Sequence, residues 1–238
     1  MCVFTACDEL KLAAYTLATG TESIHERLAI VWNLHLKQLD LDDAPEFLQH
    51  GFEGVRTSLK QIVSDDLDSS LEIPDAGAID LVQRVLFLAD DLTQIATVAH
   101  YKQIATEFYS IPKQKPGSEK MNERDPVQHP RRHDLDSRQR LQLAVCAIAS
   151  GIEPIQLRFA RAWDEHLANV ETIEFPEYMR KCFADLRDDA RDLLGVSEPA
   201  PRLSEERARQ LASRLFFLSQ RANELSIVKH YRRSLGVF

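Results

Sequence analysis

The strongest constraint on the fold is a repeat within the sequence. The stretch ELKLAAYTLATG, which begins at Glu9, aligns with RLQLAVCAIASG, which begins at Arg140. The register continues without a gap at an offset of 131, so that Trp32 aligns with Trp163. Self-similarity at a fixed spacing is typical of repeated structural units, and it has to be recognised before any fold is assigned. We therefore predict that the chain arose by internal duplication.

The alignment extends through most of both copies. Other matched positions are His35 with His166, Phe52 with Phe183, Phe87 with Phe217, and His100-Tyr101 with His230-Tyr231, the last two at an offset of 130. Residues 111–138 are rich in proline and charge and carry no apolar period, which is typical of a flexible linker. We predict a first module over residues 1–110 and a second over residues 139–238.

Each copy shows the apolar spacing of four helices. In the third, Leu48, Phe52, Val55 and Leu59 recur at alternating steps of four and three, and the second copy repeats the spacing. A period near 3.5 favours nearly parallel helices, because it keeps the apolar stripe facing its neighbour. Only eight glycines are present, and no alternating run is long enough for a sheet. The sequence predicts an all-α fold of two tandem antiparallel helical bundles.

Glycine and proline mark the predicted helix ends. Gly20 and Gly151 each follow the first helix of a copy, where a glycine commonly adopts a left-handed cap. Pro154 opens the second helix of the second copy, a place where its missing N–H has no acceptor within the helix. Trp32 and Trp163 lie on the apolar stripes, and we expect both in the core.

Two similar modules in one chain commonly pack about a pseudo-two-fold axis, as a homodimer does. A surface that was self-complementary before duplication remains so afterwards. We therefore predict a fused pseudo-dimer. Side-by-side docking and exchange of helices between the halves both remain open, and so does further oligomerisation.

Charge and cysteine usage restrict the function classes. The net charge of −8 disfavours nucleic acid as a partner. The four cysteines form no CxxC pair, so neither a zinc cluster nor a disulfide framework is indicated, and a reducing cytoplasm is expected. No segment approaches the roughly 18 uncharged apolar residues of a membrane span, so no membrane association is expected.

An arginine precedes a histidine in the second helix of each copy, as Arg27 with His35 and Arg158 with His166. In architecture and residue type this pattern resembles the HEPN ribonucleases, helical-bundle dimers whose arginines and histidines meet at the dyad. The resemblance implies a metal-independent ribonuclease at the inter-module dyad. The seven residues between Arg and His here exceed the spacing of that motif. The alternative is that each histidine lies at the edge of the core and accepts or donates a structural hydrogen bond.

The pairs His100-Tyr101 and His230-Tyr231 end the fourth helix of each copy. Small or polar residues share their helix face, which favours a close helix–helix contact. The alternative is a ligand-binding cleft lined by these two pairs.

The remaining patterns do not support metal or covalent chemistry. Glu22 and His25 have the ExxH spacing of di-iron bundles, but Gln156 replaces the histidine in the second copy. His129 and His133 flank Pro130 in the linker, which disfavours a preformed metal site. The sequence has no glycine-rich phosphate loop and no recognisable nucleophile motif. No cofactor, no metal and no catalytic residue are predicted.

The expected function is that of a non-enzymatic cytoplasmic protein, interacting with or regulating a protein partner. The alternatives are the HEPN-like ribonuclease and a helical protein that binds a small ligand. The candidate binding residues are Arg27, His35, Arg158, His166, His100, Tyr101, His230 and Tyr231.

Overall fold

The computed structural model describes residues 3–63, 74–108, 136–194 and 203–234. Within these ranges the chain is helical and contains no strand, which confirms the prediction of an all-α fold. Most of the predicted linker, together with the terminal Phe238, lies outside the described residues. The helix that follows the linker begins at Ser137, inside the range predicted as linker.

The first half contains α1 (Val3–Thr19), α2 (Ile24–Val31), α3 (Glu46–Ile62) and α4 (Asp75–Phe108). The second half contains α5 (Ser137–Ser150), α6 (Ile155–Ala162), α7 (Glu177–Leu194) and α8 (Glu205–Ser234). A short 3-10 turn, Thr172–Glu174, precedes α7. None of the helices in the described ranges combines the length and the apolarity needed to cross a bilayer.

Side-chain caps explain where two of the helices begin. Ser23 accepts a hydrogen bond from the backbone N–H of Glu26, whose carboxylate accepts from the backbone N–H of Ser23 in return. Asp136 and Gln139 form the same reciprocal box before α5. Each box satisfies two N–H groups that have no acceptor within the helix. Pro154 is the N-cap residue of α6, one position before the predicted first turn.

A π-helical turn follows α2 and α6 at matched positions. It runs Trp32–Leu36 in the first half and Trp163–Leu167 in the second. The backbone N–H of Lys37 donates to the Trp32 carbonyl at 2.9 Å, and that of Ala168 donates to the Trp163 carbonyl at 2.9 Å. Such turns are rare and appear mostly as single insertions in α-helices. Both tryptophans are buried, as predicted.

The long helices of the two halves form one core. Helix α1 packs on α4, and α5 packs on α8. Across the halves, α1 contacts α5 and α8, while α4 contacts α5 and α8. The buried apolar side chains form a single cluster that includes residues of both halves. Helices α1, α4, α5 and α8 therefore form the contact between the two halves.

The two helix-ending glycines do not adopt the predicted left-handed cap. Gly151 has extended backbone, with φ −67° and ψ 143°, and Gly20 has no positive φ either. A Cβ at Gly20 would lie 2.7 Å from Cδ of Arg27, and one at Gly151 would lie 2.7 Å from Cδ of Arg158. The physical reason for glycine is therefore the close passage of an arginine side chain, not backbone conformation.

Candidate functional site

Two buried arginines connect the halves where α1 and α5 end. Arg27 donates through Nη1 to the Leu17 carbonyl at 2.6 Å and to the Ala149 carbonyl at 2.7 Å. Its Nη2 donates to the Gly151 carbonyl at 2.6 Å. The arginine of α2 thus bonds to the end of its own first helix and to the end of the first helix of the other half.

Arg158 makes the reciprocal contacts. Its Nη1 donates to the Ile148 carbonyl at 2.7 Å, and its Nη2 donates to the Gly20 carbonyl at 2.5 Å. At the offset of 131, Leu17 matches Ile148 and Gly20 matches Gly151. Each of these two bonds therefore has a counterpart made by Arg27.

Helix C-termini stabilise the positive charge of both arginines, in addition to the attraction of Glu22. The last carbonyl groups of a helix receive no hydrogen bond from an N–H group within the helix, and they form the negative end of the helix dipole. Burial lowers the pKa of Arg27 to about 9, with repulsion from Arg158 adding to the effect. Burial also lowers the pKa of Arg158 to about 10, while Glu153 and Glu22 oppose the shift. Both guanidinium groups remain charged at neutral pH.

The histidines predicted to join these arginines have other partners. His35 Nδ1 lies 3.1 Å from Oε2 of Glu9 on α1, and His166 Nε2 lies 3.8 Å from Oε2 of Glu165. No described contact joins either histidine to Arg27 or Arg158. The two arginines are fully buried and occupied by backbone carbonyls. The HEPN-like ribonuclease stays a prediction, and these contacts do not support it.

The tyrosines of the two histidine–tyrosine pairs come together where α4 and α8 run side by side. The rings of Tyr101 and Tyr231 meet edge to face, with centroids 5.5 Å apart. Nε of Arg232 donates to the Tyr101 hydroxyl at 2.8 Å, and its guanidinium carbon lies 5.8 Å from that ring centroid. This is the helix–helix contact that the sequence suggested as one alternative.

Each histidine of these pairs lines a separate cleft beside α4 and α8. His100 borders a cleft of about 340 Å³ next to α1, where its ring meets Phe4 edge to face at 6.3 Å. His230 borders a cleft of about 660 Å³ that also includes Arg138 at the start of α5. The structure therefore brings the tyrosines together and leaves the histidines on opposite sides of the helix pair.

A third cleft, which the sequence did not reveal, lies between α4, α5 and α8. We call it the Asp90 cleft; its volume is about 430 Å³. Gln142 Nε2 donates to Oδ1 of Asp90 at 3.3 Å, and Nδ2 of Asn223 donates to the same oxygen. Arg138 Nη1 in turn donates to Oδ1 of Asn223 at 3.3 Å. These side chains come from three helices, which is why no local motif indicated them.

One signal in the sequence points to this cleft. Within the matched first helices, Tyr15 aligns with Cys146, a large change at a core-facing position. Cys146 lines the Asp90 cleft. Burial raises the pKa of the Cys146 thiol to about 11, so the thiol is protonated at neutral pH and is not an activated nucleophile.

The raised pKa of Asp90 predicts how the stability of the protein depends on pH. Burial raises this pKa, and repulsion from Asp91 adds to the rise, while Gln94, Arg138 and Gln142 oppose it. Because the folded-state pKa exceeds the ordinary value near 3.9, the folded protein holds this proton more tightly than the unfolded chain. The stabilisation that comes from the protonated Asp90 carboxyl is therefore lost as pH rises from about 4 through the folded-state pKa.

We expect Asp90→Asn, which keeps an acceptor oxygen for Gln142, to remove this part of the pH dependence. The measurement is the free energy of unfolding in urea at a series of pH values above about 4. If the variant loses stability with rising pH as steeply as the wild type, Asp90 does not have the environment described here.

Four aromatic side chains are largely exposed at two matched positions. Phe87 is 65% exposed and Phe217 is 61% exposed, and these residues match at an offset of 130. Phe47 and Tyr178 match at an offset of 131 and are 62% and 54% exposed. Single exposed apolar side chains are common on protein surfaces. Exposed aromatic residues at matched positions of both halves require an explanation.

Metal binding has no support in the described residues. No group of three or more His, Cys, Asp or Glu side chains there could hold a metal ion. The linker histidines His129 and His133 lie outside the described ranges.

Comparison with known proteins found no relative. No family model matches this chain, and no curated protein and no solved structure is significantly similar to it.

Proposed function

We propose that this chain is a non-enzymatic cytoplasmic protein that binds a protein partner through two equivalent surfaces, one on each half. The observation that carries the proposal is the retention of exposed aromatic residues at matched positions, Phe87 with Phe217 and Phe47 with Tyr178. Residues kept in the core are explained by packing. Packing explains only part of this retention. Phe217 packs on Tyr15 and Phe216, and Phe87 lines the Asp90 cleft, yet both rings remain more than half exposed.

Other exposed apolar positions show that retention is selective. Leu34 is 69% exposed, and Glu165 occupies its matched position. Ile173 is 64% exposed, and Asp42 occupies its matched position. At these two positions one half has an apolar side chain and the other has a carboxylate. The exposed aromatic pairs are kept in both halves, as are the exposed leucines at the matched positions Leu12 and Leu143. Aromatic side chains are enriched where protein interfaces are most strongly desolvated.

The proposal includes the duplication itself and a pseudo-dimeric packing of a first module, residues 1–110, on a second, residues 139–238. Three matched features support it. These are the reciprocal bonds of Arg27 and Arg158, the π-turns at Trp32 and Trp163, and the single core shared by the halves. A duplicated homodimer interface would produce matched contacts of this kind.

The test is quantitative affinity purification from the host of this protein, followed by native mass spectrometry of the complex. Wild-type protein is expected to retain a specific protein partner with two copies bound per chain. The single variants Phe87→Ser and Phe217→Ser should each bind one copy, and the double variant should lose the partner, because hot-spot aromatics contribute about 2 kcal/mol or more each.

The matched control is Leu34→Ser, which removes an equally exposed apolar side chain that the second copy does not keep. It should bind like the wild type. If the double variant retains the partner, or if the wild type retains no protein, binding through two equivalent surfaces is wrong.

A further inference from the structure

We propose that the Asp90 cleft binds a small apolar amine, with the ammonium group on Asp90 and the apolar body against Phe87 and Phe216. The proposal concerns a small molecule at one of two matched places only. Phe87 also belongs to the proposed protein-binding surface, but the test uses no protein partner, so failure of one proposal is distinguishable from failure of the other. It depends on three observations: the asymmetry of the two halves at this place, the single charge in the cleft wall, and the volume.

The asymmetry comes from Tyr15 and Cys146. In the first half, the ring of Tyr15 packs 5.6 Å from Phe216 and 5.7 Å from Phe217, between centroids. Its hydroxyl lies 3.3 Å from Oγ of Ser213. A tyrosine therefore occupies the place between α1 and α8 that matches the Asp90 cleft.

In the second half, the small side chain of Cys146 leaves that place open. The matched partners of the Tyr15 contacts are all present: Leu86 matches Phe216, Phe87 matches Phe217, and Gln83 matches Ser213. All three line the Asp90 cleft. The cleft thus has the walls of an aromatic binding place without the tyrosine that fills its counterpart. A ligand with a ring of similar size would restore the packing.

The electrostatics favour a cation. Among the described residues that line the cleft, Asp90 is the only Asp, Glu, Lys, Arg or His. Its Oδ1 accepts from Gln142 and Asn223, and its Oδ2 has a longer contact, 3.5 Å, with Nε2 of Gln94. Arg138, whose positive charge acts on Asp90, is bonded to Asn223 and borders the neighbouring cleft. An ammonium group bonded to the Asp90 carboxylate would therefore gain a charge-assisted hydrogen bond in a partly buried place.

The carboxylate of Asp90 has no counterpart at the matched position, which is Gln220. Lys11 stands where Gln142 has its counterpart. The carboxylate that lies near the filled place, Glu224, is already paired with Nζ of Lys11 at 3.1 Å. A volume of about 430 Å³ lies within the range of small-molecule sites and accommodates one aromatic ring with a short side chain.

The experiment compares two probes of nearly equal shape, 2-phenylethylamine and 2-phenylethanol, by ligand-observed NMR titration against the full chain. We expect saturable binding of the amine and about tenfold to a hundredfold weaker binding of the alcohol, since a hydrogen bond to a charged group has that value. Asp90→Asn should weaken the amine to the level of the alcohol.

Cys146→Tyr should abolish binding of both probes, because it copies the arrangement of Tyr15. The matched control is Cys182→Tyr, the same chemical change at an exposed cysteine on α7, which should bind like the wild type. Absence of saturable amine binding to the wild type, equal affinity for amine and alcohol, or unchanged binding to a folded Cys146→Tyr variant would each overturn the proposal.

Should Cys146→Tyr fail to fold, alkylation of the wild type decides. At about pH 8, where the amine stays protonated, iodoacetamide slowly modifies accessible thiols, and mass spectrometry distinguishes the sites. The amine should slow modification of Cys146 and leave that of Cys182 unchanged. Equal rates at Cys146 with and without saturating amine would place the probe elsewhere and contradict the assignment of the cleft.

Discussion

Replacing Arg27 with methionine is expected to lower the free energy of unfolding by about 3–5 kcal/mol, because three buried carbonyl groups lose their hydrogen-bond donor. Methionine fills much of the volume of the arginine stem but donates no hydrogen bond. The carbonyl groups of Leu17, Ala149 and Gly151 would then be buried without their donor, and each unsatisfied group costs about 1–3 kcal/mol.

Arg158→Met is expected to have a loss of similar size, because two of its bonds match two of the bonds of Arg27. Arg27→Lys should recover little of the lost stability, since one ammonium group cannot replace a planar fork that bonds to three carbonyls. The control is Arg84→Met on α4, which removes an exposed ion pair with Asp80 and should cost less than about 1 kcal/mol. Urea denaturation measures all four variants. Equal losses for Arg27→Met and Arg84→Met would show that the buried contacts are not as described.

Trp32→Ala and Trp163→Ala are each expected to cost about 3–5 kcal/mol, because each removes a large buried side chain and leaves a cavity. Trp32 is 5% exposed and Trp163 is 4% exposed, and both begin a π-turn. Trp163 also stacks on Phe159 with ring centroids 6.2 Å apart, whereas Leu28 matches Phe159 in the first half. We therefore expect the larger loss at Trp163.

The matched control is Phe47→Ala, which removes an exposed aromatic side chain and should change stability by less than about 1 kcal/mol. Thermal and urea unfolding give the free energies. A small loss at one tryptophan beside a large loss at the other would mean that the two halves do not bury equivalent side chains.

The helices could be predicted from the sequence because their signals are local. The apolar spacing of Leu48, Phe52, Val55 and Leu59 predicts which face of α3 is buried, and all four residues are buried in the structure. Pro154 indicates where α6 begins for the same reason, since the effect of proline on the backbone is local. The same apolar spacing recurs at the matched positions of α7, which gives a second, independent indication of the buried face.

The contacts between the halves could not be predicted in the same way. The sequence predicted that Gly20 and Gly151 adopt a left-handed backbone conformation. In the structure, each glycine instead leaves room for an arginine side chain that packs against it. The bond from Arg27 to Gly151 joins residues 124 positions apart, and no local pattern specifies it. The sequence likewise paired Arg27 with His35 by type, whereas the structure gives His35 a carboxylate partner, Glu9.

The Asp90 cleft shows a further limit of local reasoning. Asp90, Gln142 and Asn223 lie on three helices, and only packing brings them together. The mismatch of Tyr15 and Cys146 was visible in the alignment of the copies. Its meaning requires the knowledge that Tyr15 reaches Phe216 and Phe217 on the helix of the other half.

The most direct test of the account is NMR of the arginine side chains in protein labelled with nitrogen-15, with Arg27→Lys and Arg158→Lys providing the assignments. Two guanidinium groups locked on carbonyls of opposite halves should show dispersed N–H resonances whose hydrogens exchange slowly with water. Fast exchange at either arginine, at the rate of exposed ones such as Arg84, would contradict the reciprocal packing of the two halves.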